Sequence, residues 1–184
     1  MSLALDGDDQ AHIAFAGGDG LCVATNAAGE WSAEIVEDPL GPAGEDVSLV
    51  MDSAGFAHVA YEADSALRYA TNASGAWESA AVDGDRENRV LYAAVALDGT
   101  ETPHVAYSMW RLAGEDELRY AAISGGLWET ESVDTRGTSG TYVDLAIGAD
   151  AIHISHVDGA DGELRYAAHG LPDGVDNNCD GVEW

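Results

Sequence analysis

The chain has 184 residues, 46% of them apolar, which is enough for one domain with a sizeable core and excludes wholesale disorder. Acidic residues number 34 against seven basic ones, all arginine, for a net charge of −27. A surface this acidic repels polyanions and so excludes nucleic acid and anionic membranes as partners; it suits a secreted protein of a salty environment, or one that collects cations. No run of 18 apolar residues exists, so nothing reads as a membrane-spanning helix. No signal peptide is visible, since Met1-Ser2-Leu3 runs straight into a predicted strand, as expected of a mature chain.

In chain order, the sequence repeats itself. The first copy runs Ser2-Leu-Ala-Leu-Asp6, His12-Ile-Ala-Phe15, Leu21-Cys-Val-Ala-Thr-Asn26 and Gly29-Glu-Trp31. The second runs Val47-Ser-Leu-Val-Met-Asp52, His58-Val-Ala-Tyr61, Leu67-Arg-Tyr-Ala-Thr-Asn72 and Gly75-Ala-Trp77. The third has Ala94-Val-Ala-Leu-Asp98, His104-Val-Ala-Tyr107, Leu118-Arg-Tyr-Ala121 and Gly126-Leu-Trp128; the fourth has Val143-Asp-Leu-Ala-Ile147, His153-Ile-Ser-His156 and Leu164-Arg-Tyr-Ala-Ala168. His12, His58, His104 and His153 recur at intervals of 46, 46 and 49 residues. Four short alternating runs per copy, at a period in the forties, predict an all-β, β-propeller-type repeat of four blades, each of four antiparallel strands.

The predicted blades cover 1–46, 47–92, 93–141 and 142–169. The last is incomplete, because no Gly-x-Trp follows its third run. An acidic Asp/Asn/Gly tail, 170–184, takes the place of the missing strand. In the first run, Leu and Val alternate with Ala and Ser, as expected of the innermost strand. The tyrosines of the second and third runs and the Trp opening the fourth are expected to fill the gaps between blades. The flank of an incomplete ring must be covered, either by closure of four blades on themselves or by two chains meeting as half-rings in a homodimer.

The repeat resembles the tandem propeller repeats of secreted bacterial proteins over about residues 2–168. That resemblance implies a fold and leaves function open. Met51-Asp-Ser-Ala-Gly55 is similar to the Asp-box of sialidase-type propellers, without its aromatic ending; the resemblance implies a structural turn and no catalytic residue. Asp173-Gly-Val-Asp-Asn-Asn-Cys-Asp-Gly-Val-Glu183 resembles the MopE-type metal-binding segments of bacterial surface proteins, departing from their pattern at Asn178.

The tail also reads directly as a cation site. Asp176-x-Asn178-x-Asp180-Gly181 fits the start of a calcium loop, in which alternating carboxylates and amides around a glycine turn point oxygens inward. Asp173 and Glu183 complete the expected shell, so Ca2+ is the expected cofactor. Cys22 and Cys179 form no Cys-x-x-Cys pair, which excludes a zinc ribbon, and are able to join as one disulfide between first repeat and tail.

The repeated histidines and the arginines Arg68, Arg119 and Arg165 each offer a ring of like groups. Hydrogen bonding within the blade is the expected role of the histidines, and local pairing with the abundant carboxylates, with packing of the stem, that of the arginines. The insertion Met109-Trp-Arg-Leu-Ala-Gly-Glu-Asp-Glu117 places Trp110 and Arg111 in a loop as a contact patch for a carbohydrate or protein ligand. No Gly-x-Ser-x-Gly, His-Glu-x-x-His or P-loop occurs. The reading is therefore a secreted binding or scaffold domain. Its alternatives are a glycosidase- or lyase-like propeller enzyme and a purely structural surface repeat.

Overall fold

A computed structural model describes residues 1–17, 20–37, 43–84, 88–111 and 116–170. Every regular element among them is a strand, and none is a helix that could cross a membrane. The chain divides into two compact units, residues 1–89 and 90–184.

The first unit holds two four-stranded antiparallel sheets. Sheet 1 comprises β1 (Ser2–Leu5), β2 (Ala11–Gly17), β3 (Gly20–Thr25) and β4 (Ser32–Glu37), in that order. Sheet 2 comprises β5 (Ala43–Met51), β6 (Ala57–Ala63), β7 (Ala66–Thr71) and β8 (Glu78–Asp83), likewise in sequence order. The second unit holds sheet 3, made of β9 (Asn88–Leu97), β10 (Pro103–Arg111), β11 (Glu117–Ser124) and β12 (Leu127–Asp134). It also holds sheet 4, made of β13 (Thr141–Ile147), β14 (Ala151–Val157) and β15 (Leu164–Gly170). Each sheet thus gathers the runs of one sequence copy as a meander, and among the described residues sheet 4 has three strands.

The repeated polar residues make the turns. Asp52 accepts from the amides of Ala54 (2.9 Å) and Phe56 (2.8 Å) through Oδ1, while the Gly55 amide donates to its carbonyl. Asp6 and Asp98 hold the same hairpin in sheets 1 and 3. At the other end, Asn26 and Asn72 accept from the amides of Ala11 and Ala57, tying the third strand's exit to the second strand's start. Such side-chain acceptors are why Asp and Asn recur at turns.

The core of the first unit lies between its two sheets. One face of sheet 1, with Ala14, Leu21 and Val23, packs on the face of sheet 2 that carries Val47, Leu49, Val59 and Tyr61. The core of the second unit repeats this. Ala106, Leu118 and Tyr120 of sheet 3 pack on Leu145, Ile152, Ile154 and Ala167 of sheet 4.

Two expectations need correction. Trp77 packs on the first core as predicted, but Trp31, its counterpart in sheet 1, is 56% exposed. Tyr166 is 45% exposed, whereas Tyr69 and Tyr120 are buried. The sequence repeats the side chain, but burial needs a second sheet against that face, and among the described residues no sheet covers these two side chains.

Candidate functional site

The histidines resolve first. In sheets 2 and 3, His58 and His104 sit between a turn Asp and a buried Tyr. Their Nε2–H groups donate to Asp52 (3.3 Å) and Asp98 (3.4 Å), and their Nδ1 atoms accept from the hydroxyls of Tyr69 and Tyr120. His12 pairs with Asp6 at 3.0 Å, and His153 with Tyr166. Each is spent inside its own sheet, which is the role a residue repeated in every copy is expected to have. Among the described residues, no group of three or more His, Cys, Asp or Glu is placed to hold a metal ion. The tail residues Asp173, Asp176, Asn178, Asp180 and Glu183, with Cys179, lie outside the described residues.

Burial works against ionisation of Asp98, but donors from Thr100, the amide of Thr102 and His104 outweigh it and hold its carboxyl down at about 2. Burial likewise opposes, and donors from the backbone and His58 outweigh, at Asp52. Burial pushes the Tyr69 phenol up to about 12. Each turn Asp stays ionised and each phenol protonated, so the polar chain is locked rather than poised for proton transfer.

The arginines are also locally paired. Arg68 forks onto Glu37, Nη2 to Oε1 at 2.9 Å and Nε to Oε2 at 3.0 Å, and Tyr61 donates its hydroxyl to the same carboxylate. Glu37 ends the last strand of sheet 1, so this latch closes the seam between sheets 1 and 2. Arg165 reaches Asp134, which ends the last strand of sheet 3, at 3.3 Å, and also Asp158. In sheets 1, 2 and 3 the register shifts immediately before this position, and such a bulge re-aims the side chain that follows. The partners of Arg165 thus come from the preceding sheet and from Asp158, the residue after β14. Both latches span 31 residues, a signal present in the sequence.

The predicted contact patch stands at the end of β10. Trp110 is 43% exposed. Beside it, Arg111 keeps an exposed guanidinium whose Nη2 donates to Glu117, while its amide donates to Asp116 at 3.2 Å. Glu117 is buried and also accepts from Arg119 Nη1 at 2.7 Å and Ser132 Oγ at 3.2 Å. Burial would raise the Glu117 carboxyl, but the bonds from Arg119 and Arg111 outweigh it and hold it below the usual carboxylate range. Arg119 is itself braced by Tyr107 and Thr130. The arrangement is a pre-ordered guanidinium next to an exposed indole, with two cations on one carboxylate in an otherwise acidic chain. Sequence reasoning found Trp110 and Arg111 but missed Glu117 as their brace.

Known protein families yield no match to this chain, and neither do characterised proteins compared by sequence. Solved structures do. The chain is similar to the bifunctional GH43-CE protein of Bacteroides eggerthii, with a TM-score of 0.56 and 11% identity over 91% of this chain. It is similar to the Aleuria aurantia lectin solved in complex with Fucalpha1-6GlcNAc, with a TM-score of 0.54 and 16% identity over 90% of this chain. It is also similar to the NanB sialidase from Streptococcus pneumoniae, with a TM-score of 0.53 and 16% identity over 89%. The chain spans 27% of the first, 59% of the lectin and 28% of the sialidase. At these identities the likeness is one of all-β fold.

Proposed function

We propose that the chain is a secreted, β-propeller-type carbohydrate-binding module, each sheet one blade, with Trp110 and Arg111 as its contact patch. The observation that carries this reading is the exposed indole beside a guanidinium braced by buried Glu117. A rigid aromatic face offers apolar area to a sugar's C–H groups at little entropic cost, and the held Arg offers directed donors to its oxygens. The fold likeness to a fucose-binding lectin supports a glycan over a protein ligand. The experiment is a glycan array followed by titration of the best ligand. Trp110→Ala is expected to weaken binding by roughly 10-fold or more, as truncation of an aromatic anchor does. An array without binders, or a Trp110→Ala variant that binds as tightly as the unmodified chain, overturns the reading.

Glycoside hydrolysis is the second reading, supported by likeness in fold to a sialidase. Saturable turnover of model glycosides, sialosides included, would displace the binding reading. The tail carries a separate proposal that rests on sequence alone: Asp173, Asp176, Asn178, Asp180 and Glu183 hold Ca2+. Calorimetry with Ca2+ should give a binding heat that Asp180→Ala removes, and no heat from the unmodified chain sinks it.

A further inference from the structure

Two tyrosines of the second unit have a left-handed backbone, Tyr92 at φ 51° and Tyr142 at φ 52°. They occupy one position of the repeat, five residues before the end of the first strand of their sheets, β9 and β13. In sheet 2 the same step back from the end of β5 leads to Asp46. The two rings meet across the seam between sheets 3 and 4, with centroids 5.1 Å apart and planes tilted by 45°.

A bulky side chain at such a φ is strained, and a glycine there would not be. The backbone around Tyr142 holds it in place. The register of β13 on β14 shifts between Thr141 and Asp144, so Tyr142 and Val143 form a bulge. Before the bulge, the Gly140 amide donates to His156 Nδ1 at 3.2 Å, and Thr141 Oγ1 donates to the Val157 carbonyl at 2.7 Å. A bulge re-aims the side chain it carries, and here it does not aim into the core. Tyr92 is half-buried, but Tyr142 is 71% exposed, a figure the first unit can only lower, so the ring is open within its own unit. Strain that leaves its aromatic ring in water brings little stability in return, and strain of this kind collects where ligands are held. The start of β9, with Tyr92, lies beside the end of β10, with Trp110 and Arg111, because the two strands are neighbours joined by the tight turn from Asp98 to Thr102. The tyrosine pair and the Trp110 patch therefore stand at one end of sheet 3, and Tyr142 carries the aromatic surface on to sheet 4.

We propose that Tyr92 and Tyr142 form a second sugar-stacking subsite beside the Trp110 patch, so that the ligand is a chain of several neutral sugars rather than one terminal sugar. The inference rests on the glycan-binding reading and extends it. A phenol ring offers its face to the C–H groups of a sugar and its hydroxyl to a sugar oxygen. The chain's charge of −27 opposes acidic sugars, which leaves neutral ones.

Calorimetry with cello-, xylo- and manno-oligosaccharides of one to six units tests it. The six-unit member of the preferred series is expected to bind the unmodified chain roughly 10-fold or more tighter than the single sugar, because the second contact is made within one ligand. Tyr142→Gly is expected to abolish that gain. Its thermal midpoint should equal or exceed that of the unmodified chain, because glycine accepts this φ without strain. Tyr142→Asn, which also tolerates the left-handed region, should repeat the loss of the gain. Trp110→Ala should weaken binding at every length. If Tyr142→Gly keeps the full gain while Trp110→Ala still weakens binding, the second subsite falls and the glycan reading stands. A lower thermal midpoint for Tyr142→Gly assigns the ring to packing and overturns the proposal as well. Binding to no member of any series removes this subsite and the glycan reading together.

Discussion

The seam inside the first unit and the seam inside the second are built from the same positions with different chemistry. In the first, one carboxylate, Glu37, meets one fork, Arg68, and one phenol, Tyr61. In the second, Asp134 is held by Arg136 and Arg165, Arg165 also grips Asp158, and His156 replaces the phenol with Nε2 at 3.7 Å from Asp134. Asp134, Asp158 and His156 are all buried, while the guanidiniums reach solvent. The second seam has therefore exchanged a simple latch for a charge network. The comparison teaches that a repeat can keep its packing geometry while its polar content moves from dispensable to obligatory. A buried carboxylate between two arginines is costly to disturb in a way that a single peripheral pair is not.

The sharpest break in that comparison is Asp134→Ala. It takes one acceptor from Arg165, which keeps Asp158, and from Arg136, and it removes the carboxylate facing buried His156, so it should cost the second unit about 2 kcal/mol. Glu37→Ala should cost the first unit less, because Glu37 and Arg68 keep partial access to water that can replace the lost bonds. Denaturant titration of each variant against the unmodified chain measures both, and equal losses would erase the distinction.

The next test is pH. Burial holds the His156 imidazole below the usual histidine range, and Asp134 only partly offsets it. The unfolded chain takes up a proton near pH 6.5 that the folded second unit resists. Stability from this group is thus present above about pH 6.5 and is lost as pH falls below it. The first unit has Tyr61 at this position, its phenol pushed up to about 12 by burial and by Glu37, and so has no such loss. Hydrogen exchange should show the amides of β14 losing protection between about pH 6.5 and 5 while those of β6 hold. Parallel loss in both strands would mean that His156 is not the cause.

Much of this was legible in the sequence, and the limits are physical. The constant six-residue step from Asp6, Asp52 and Asp98 to His12, His58 and His104 lies within one hairpin, and the fold places both ends together. Trp110 and Arg111 were legible because an insertion breaks the repeat. The brace from Glu117 was not, since a carboxylate among 34 carries no mark until its burial is known. Nor was the seam latch read, although Glu37 to Arg68 and Asp134 to Arg165 share one spacing, because their contact crosses from sheet to sheet. Trp31 and Tyr166 failed for the opposite reason: a repeated residue looks buried in every copy, and only the neighbouring sheet decides.

A smaller effect tests the first seam's hydroxyl alone. Tyr61→Phe removes the donor to Glu37 but leaves the ring in the core, so it should cost about 1 kcal/mol. Phe15 is what sheet 1 already carries at that position, without an Arg beside it. If Tyr61→Phe is neutral, the Arg68 fork alone closes the seam.

The smallest expected effect concerns the Trp at the rim of the first seam. Trp77 packs on the first core and donates Nε1 to Glu34 of sheet 1 at 3.1 Å, at an exposed rim. Among the described residues sheet 4 has no fourth strand, so no counterpart of this contact is described in the second seam. Trp77→Phe keeps an aromatic ring and loses one exposed hydrogen bond and some packed area. It should cost no more than about 1 kcal/mol, since water replaces an exposed bond well. If the cost instead approached that of Asp134→Ala, the Trp contact would be the first unit's substitute for a buried charge network, and the two seams would be alternative solutions of similar strength.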